Sequence, residues 1–440
     1  MAGARVIPLL RFARRYPRVS REEISAFQSA ALRRLVAHAY ADVPYYRRLF
    51  DRHGLRPERV RTLADLAAIP ITGKKDIQAL PAGDVVARGL DPARLIHHRT
   101  SGSTGEPITI RRTWIEERLG AIFRLRALRD YGQRLRDRRA FIGIVRDRDP
   151  RDHDLPQRIA RAFGLCGKER IDCLLPPVEI VRALSRLSPD VVIGTPAVLA
   201  EVAPLIGADD RARIHPRYVV VGGEVLTPLM RQRIGEAFRA PVRELYGSHE
   251  LSMIAWECAR GDLHVCEDNV IVEVQRDGRP AAPGETGEIV ATRLHSYAMP
   301  FIRYRLGDVV ARGEPACACG GPFATIRAVQ GRMIDYFPLP GGRVIHPYDL
   351  VLTILPRSAP WMRQYQLVQE REDRITLRVA TLTPPSPADV AVVEEAVRAR
   401  LGPDVAFNVS LVPEIRMEAN GKFRVSRSLV RSAHDMTSAR

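Results

Sequence analysis

No apolar run in the chain approaches the roughly 20 residues needed to cross a bilayer. Residues 1–20 alternate Arg with short apolar pieces and lack a small-residue cleavage pattern, so no secretory leader is expected. The expectation is a cytoplasmic protein without a membrane span. Lysine is scarce: only four of the 68 basic side chains are Lys, and the Arg remainder is spread along the whole chain. A net charge of +17 raises nucleic acid as a partner. Arg scattered in this way is what a GC-rich genome produces, so nucleic-acid binding is not expected, while anionic small ligands gain from the same field. Six cysteines in a cytoplasmic chain do not suggest disulfides. A Walker A lysine is missing too, because no Gly-Lys-Ser/Thr follows the one Gly/Ser/Thr-rich loop.

What is present is a chain of 440 residues, 45% hydrophobic, which can bury a sizeable core in two or more domains. Its densest run of small polar residues is Thr100-Ser101-Gly102-Ser103-Thr104-Gly105-Glu106-Pro107. Gly102 and Gly105 let the backbone turn its N–H groups outward, and Ser101, Ser103 and Thr104 add hydroxyls. Such a loop between two strands suits a triphosphate tail. A plain Ser/Gly hairpin turn has the same composition.

The spacing predicts helix over 20–53, where Ser20, Glu22 and Glu23 open a capping-like start, and a turn into another helix at Lys74. A long helix is predicted over 114–131. Apolar runs at 139–145, 190–196 and 217–223 read as buried strands, with helices at 178–187 and 197–205 between them. Strands that are apolar throughout and alternate with helices indicate a parallel sheet covered on both faces. Ligands in such a sheet sit beyond the carboxyl ends of the strands. Two further loops qualify there: Gly222-Gly223-Glu224, and Tyr246-Gly247-Ser248-His249-Glu250 after a strand at 242–246. Later, Asp308 follows Gly307 where a carboxylate can accept both hydroxyls of a ribose, or serve in a type I turn. From about residue 332 two alternating strands, an amphipathic helix and a strand indicate a small α+β domain, and its turn 418–424 holds out Lys422.

In this order the Ser/Gly/Thr loop, Gly222-Gly223-Glu224, Tyr246-Gly247-x-x-Glu250, Arg303-Tyr304-Arg305-x-Gly307-Asp308, Gly331-Arg332 and Gly421-Lys422 resemble the adenylate-forming enzymes. Within them the chain is most similar to the phenylacetate–coenzyme A ligase branch, with its coenzyme F390 synthetase-like and capsule-biosynthesis relatives. The resemblance covers residues from about 20 to 430. It implies an α/β fold, with a large N-terminal domain (1–331) of mixed and parallel sheets flanked by helices. A small mobile α+β lid domain (332–440) follows. It also implies joining of a carboxylic acid, aryl or arylacetic, to ATP, then acyl transfer to coenzyme A. A carrier protein, amine or hydroxyl is the alternative acceptor, and a homodimer is left open.

By the same resemblance Ser101, Gly102, Ser103, Thr104 and Gly105 hold the β- and γ-phosphates, and Gly223 and Glu224 bracket the adenine with Tyr246 along its ring. Glu250 holds Mg²⁺. Asp308 takes the ribose hydroxyls with Arg332 beside it. Lys422 reaches the carboxylate and α-phosphate, and Lys74 orients the acid. Tyr246, Gly247 and His249 line the substrate pocket, where His249 either meets a polar substituent or donates to backbone.

The chain departs from the family at the hinge, where Ile334 and Asp335 replace the usual paired acids. Apart from these motifs, Cys258-x5-His264-x-Cys266 and Cys317-x-Cys319 offer short Cys/His spacings in two halves. That pattern fits a closed structural Zn²⁺ site made by Cys258, His264, Cys317 and Cys319, with Cys266 in reserve. Ordinary buried-cysteine packing is the alternative.

Overall fold

The computed structural model describes Leu9, Arg15, Tyr16, residues 18–99, 108–145, 168–314, 316–332, 337–345, Pro347, 350–351, 353–354, 361–416 and 424–430. The chain divides into two compact units, one of residues 1–133 with 244–329 and one of 134–243 with 330–440.

The first unit opens with helix Arg21–Asp42, whose start is fixed by a reciprocal cap: Glu23 N donates to Ser20 Oγ and Ser20 N to Glu23 Oε2. The single helix expected over 20–53 is in fact two. Val43 precedes Pro44 and is pushed to extended angles (φ −111°, ψ 110°), and Pro44 then starts helix Pro44–Arg52. Leu32, Leu35, Val36, Tyr46 and Phe50 pack there against Leu294 and Ile302. Helix Trp114–Asp130, capped by Thr113 and Glu116, buries Leu119, Phe123 and Ala127 against Met253, Trp256 and Phe323.

The strands of this unit run in the order Arg279–Pro280, Val270–Arg276, Thr286–Arg293, Tyr304–Arg312, Thr325–Arg332, Leu263–Val265, Ser252–Glu257 and Val242–Ser248. Every pairing with a resolved register among them is antiparallel. Several of these strands were not expected from sequence. Ser252–Glu257 is buried at all six positions, so it has no apolar/polar alternation to betray it.

The second unit has the parallel sheet that the apolar runs indicated. Tyr218–Gly222, Val191–Gly194, Arg139–Gly143 and Lys168–Asp172 are adjacent in that order, each pair parallel. Helices Pro177–Leu187, Pro196–Val202 and Pro228–Phe238 belong to the same core, with Ile180, Leu184, Leu199 and Ile234 buried against Ile142, Val192 and Val219. A smaller four-stranded sheet follows: Ala406–Leu411, Arg374–Thr381, Met362–Arg371 and Ser426–Ser428. Its hairpin is antiparallel, its outer strands pair in parallel, and helix Pro387–Leu401 covers it through Val393, Val397 and Leu401. Within the unit Ala380 and Ile415 complete the core of the parallel sheet, and Arg233 donates to the carbonyls of Met362 and Arg363.

Candidate functional site

Asp308 lies inside strand Tyr304–Arg312, not in a turn, and Gly307 before it has φ +85°. That left-handed angle, open to glycine at no steric cost, re-aims the strand at this point. The Tyr246 hydroxyl donates to Asp308 Oδ2 at 2.6 Å. A carboxylate so held keeps acceptor capacity for another donor pair. Gly247 follows Tyr246 where strands Val242–Ser248 and Ser252–Glu257 close on each other; a Cβ there would collide with the Ser252 carbonyl oxygen. Only glycine continues the strand past Tyr246 at that separation.

His249 and Glu250 come next, His249 exposed and Glu250 buried. The surroundings of this turn were not anticipated. Arg112 donates to the His249 carbonyl and, at 3.0 Å, to Glu117 Oε2. His98 Nε2 meets the same Glu117 oxygen at 2.9 Å, and the His98 ring stacks on that of His249, centroids 5.6 Å apart and 23° from parallel. Burial works against charge on Glu117, yet the His98 hydrogen bond and the Arg112 charge hold its carboxyl well below the usual range. Arg293, fully buried, reaches the carbonyls of Glu250 and Glu116 at 3.4 and 3.5 Å. Sequence offered one signal for this group: His98 stands two residues before the Gly/Ser/Thr loop.

The loop itself, Ser101 to Gly105, lies outside the described residues, as do Lys422, Ile334 and Asp335. The loop is flanked by an antiparallel pair, Ile96–Arg99 with Thr109–Arg112, in which Arg99 faces Thr109. Lys74 is half-buried at the start of the short helix Lys74–Gln78. Two residues earlier Thr72 is bridged to Tyr304, so Lys74 emerges beside the strand that carries Asp308. Arg332 ends strand Thr325–Arg332. In the second unit Gly223 has φ +86° after strand Tyr218–Gly222, and Glu224 Oε2 accepts from Ala197 N at 3.2 Å. Glu224 thereby has a structural tie at the head of helix Pro196–Val202 that its sequence position did not suggest.

The two cysteine-bearing segments meet. Ligand atoms of Cys258, His264, Cys317 and Cys319 all lie within 4.8 Å of one another. The Cys258 and Cys317 sulfurs are 3.7 Å apart, far beyond a disulfide bond and close to the roughly 3.8 Å edge of a tetrahedron with Zn–S bonds of about 2.3 Å. His264 Nδ1 donates to the Phe323 carbonyl at 3.0 Å, which leaves Nε2 facing Cys319 Sγ at 3.1 Å, the tautomer a metal requires. Burial lowers the His264 pKa and favours the neutral ring. Backbone N–H groups of Arg260, Cys319 and Gly321 point at the sulfurs of Cys258, Cys317 and Cys319 respectively, at 3.3–3.4 Å. Burial pushes the Cys317 thiol up to about 12, the direction a bound cation reverses. The donor set fits Zn²⁺. Cys266 is buried elsewhere, against Asp268, and is no member of the group.

No protein-family model matches the chain. It is 29% identical over 392 residues to a phenylacetate–coenzyme A ligase of Thermus thermophilus, covering 83% of each chain. It is 28% identical over 312 residues to the Escherichia coli phenylacetate–coenzyme A ligase, covering 66% of this chain and 67% of that one. Among solved structures, 2-hydroxyisobutyryl-CoA ligase in the postadenylation state superposes with a TM-score of 0.78 at 21% identity, covering 94% and 91% of the two chains. The chain is thus similar in sequence to phenylacetate–coenzyme A ligases over most of its length, and it has the fold of the coenzyme A ligases of known structure on which it superposes.

Proposed function

We propose that the protein activates an aryl or arylacetic acid with ATP and passes the acyl group to coenzyme A. An oxygen of the acid's carboxylate attacks the α-phosphorus, pyrophosphate leaves, and the acyl-adenylate remains. The thiol of coenzyme A then attacks the acyl carbon and AMP leaves. The observation that carries this reading is the Tyr246–Asp308 hydrogen bond, which fixes an aromatic edge and a ribose-accepting carboxylate together.

The Ser101 to Gly105 loop holds the β- and γ-phosphates with its backbone N–H groups. Gly223 and Glu224 bracket the adenine, Tyr246 lies along it, and Arg332 stands beside the ribose. Glu250 would hold Mg²⁺, whose charge offsets the repulsion between the phosphates and the incoming carboxylate. Lys74 orients the acid, and Lys422 stabilises the charge that grows on the α-phosphate. Residues 332–440 act as the lid that brings Lys422 in. Cys258, His264, Cys317 and Cys319 hold a structural Zn²⁺.

Acid-dependent pyrophosphate exchange tests the reading. Lys422→Ala lowers it by ~10²–10³, the scale of one lost charge-stabilising donor, and spares thioester formation from pre-made adenylate. Equal loss in both half-reactions sinks the assignment of Lys422. The hinge favours a second reading, since stiff, β-branched Ile334 replaces an acid there. In that case the acyl group goes to a carrier protein, amine or hydroxyl. If Asp335 has taken over the pivot, Asp335→Pro abolishes thioester formation and leaves pyrophosphate exchange; a variant that keeps both places the pivot elsewhere.

A further inference from the structure

Glu250 stands on the turn between Ser248 and Ser252, the paired ends of two antiparallel strands. It is 7% exposed, and no described residue gives its carboxylate a hydrogen bond or an ion pair. A carboxylate withdrawn from water in this way calls for a cation, and an oxygen ligand suits Mg²⁺. Both stems of the Ser101 to Gly105 loop reach the same turn. His98, before the loop, stacks on His249, and Arg112, after it, donates to the His249 carbonyl.

The backbone around Glu250 is gripped by buried side chains from other elements. Arg112 holds the carbonyl of His249, and Arg293 that of Glu250 at 3.4 Å. Asn269 Nδ2 donates to the carbonyls of Leu251 and Met253 at 3.0 and 2.7 Å. Arg293 and Asn269 are both fully buried. Among the described residues Arg293 hydrogen-bonds to no carboxylate: its terminal nitrogens meet only the carbonyls of Glu250 and Glu116, and its Nε has no hydrogen-bond partner. A buried guanidinium so weakly paired is a poor source of stability, and an apolar side chain of similar volume would serve the core better. What it supplies is a fixed anchor for the turn. Ser252, just beyond, has φ +61°, a left-handed angle that a residue with a side chain keeps only where its surroundings over-determine it.

We infer that Arg293 and Asn269 are positioning residues for Glu250, holding its turn so that the carboxylate meets the nucleotide's Mg²⁺ at one fixed place. This rests on the ligase reading and on its assignment of Mg²⁺ to Glu250. Mg²⁺ demands near-ideal octahedral geometry, so a ligand on a turn that shifts binds it less well. Removing the partners behind a metal ligand costs roughly 10–100-fold in metal affinity.

The test is binding of Mn²⁺, in place of Mg²⁺, to the full chain with α,β-methylene-ATP, read by electron paramagnetic resonance of the free ion. Glu250→Gln sets the scale of the loss. Arg293→Met and Asn269→Leu are each expected to weaken the bound metal about tenfold or more, with the affinity for metal-free nucleotide unchanged. In the Glu250→Gln background Arg293→Met should take away nothing further, because a support matters only while the group it supports is present. A loss of the same size with and without the Glu250 carboxylate overturns the inference and marks the clamp as part of the general fold. Should Arg293→Met unfold, Asn269→Ser takes its place, with the same expectation and the same refutation. Metal binding that survives Glu250→Gln defeats the Mg²⁺ assignment and this inference together. Metal binding lost with Glu250→Gln but untouched by the Arg293 and Asn269 variants defeats this inference alone.

Discussion

The Tyr246 hydroxyl and Asp308 Oδ2, 62 residues apart in the chain, are joined by a 2.6 Å hydrogen bond. Tyr246 is nearly buried and Asp308 half-buried, so the bond holds the carboxylate at a fixed angle beside an aromatic face.

Tyr246→Phe keeps the ring and frees the carboxylate. Loss of one hydrogen bond to a charged group is on the scale of about 1.5–3 kcal/mol. The KM for ATP should rise roughly tenfold or more, with a smaller effect on the melting temperature. An unchanged KM for ATP would remove Asp308 from ribose binding.

Purified protein should carry one Zn²⁺ per chain that resists mild chelation, because a closed four-ligand site exchanges slowly. Cys317→Ser or His264→Ala should lose the metal and lower the melting temperature. Metal analysis finding none, with Cys258, Cys317 and Cys319 titrating freely in native protein, rules the site out.

Arg126 and Asp268 form a buried pair, 4% and 0% exposed, with Arg126 ringed by Tyr16, Phe123, Trp256 and Phe323. Asp268→Ala leaves a buried charge without its partner and should cost about 3–5 kcal/mol in urea unfolding. The double variant Arg126→Met/Asp268→Leu should be far closer to wild type. Equal destabilisation by both would show that the charge is not the cause.

His295 is fully buried, and burial lowers its pKa from 6.5 to about 4, with Nε2 bonded to the Asp268 carbonyl at 2.7 Å. The folded pKa lies below the unfolded one, so the unfolded chain takes the proton first as pH falls. The contribution of this ring is complete above pH 6.5 and is lost on the way down to about pH 4. A gap of this size corresponds to roughly 3 kcal/mol. His295→Gln, which can still donate to the Asp268 carbonyl, should flatten that limb of the melting curve; an unaltered slope between pH 6.5 and 4 contradicts the assignment.

The parallel strands were legible because each is a short apolar run bounded by turn residues, as in Val191–Gly194 and Tyr218–Gly222. Ser20, with Glu23 three residues on, announced its helix in the same local way. Some antiparallel strands were legible, as at Val242–Ser248, and others were not. Ser252–Glu257 is buried on both faces yet carries Ser and Glu, so period and polarity gave opposite signals. At the site, short motifs pointed to Tyr246, Asp308 and the Cys/His group because the chemistry sits in a few adjacent residues. Arg112, Glu117 and Arg293 were invisible. Each acts on a backbone carbonyl or carboxylate brought close only by folding, and nothing in the local spacing of an Arg distinguishes it from the many others.

Neither compact unit is a continuous piece of chain: residues 134–243 interrupt the first, and residues 244–329 interrupt the second. A growing polypeptide therefore cannot finish one body before starting the other. The parallel strands emerge from the ribosome early but wait for Ala380 and Ile415 to close over their core. Strands of the first unit up to Thr325–Arg332 arrive in the interval, while that core is still open. Synthesis from the amino end thus passes through a stage with exposed apolar surface, the condition that calls on chaperones. A product stopped at residue 331 would hold one whole unit and an uncovered half of the other.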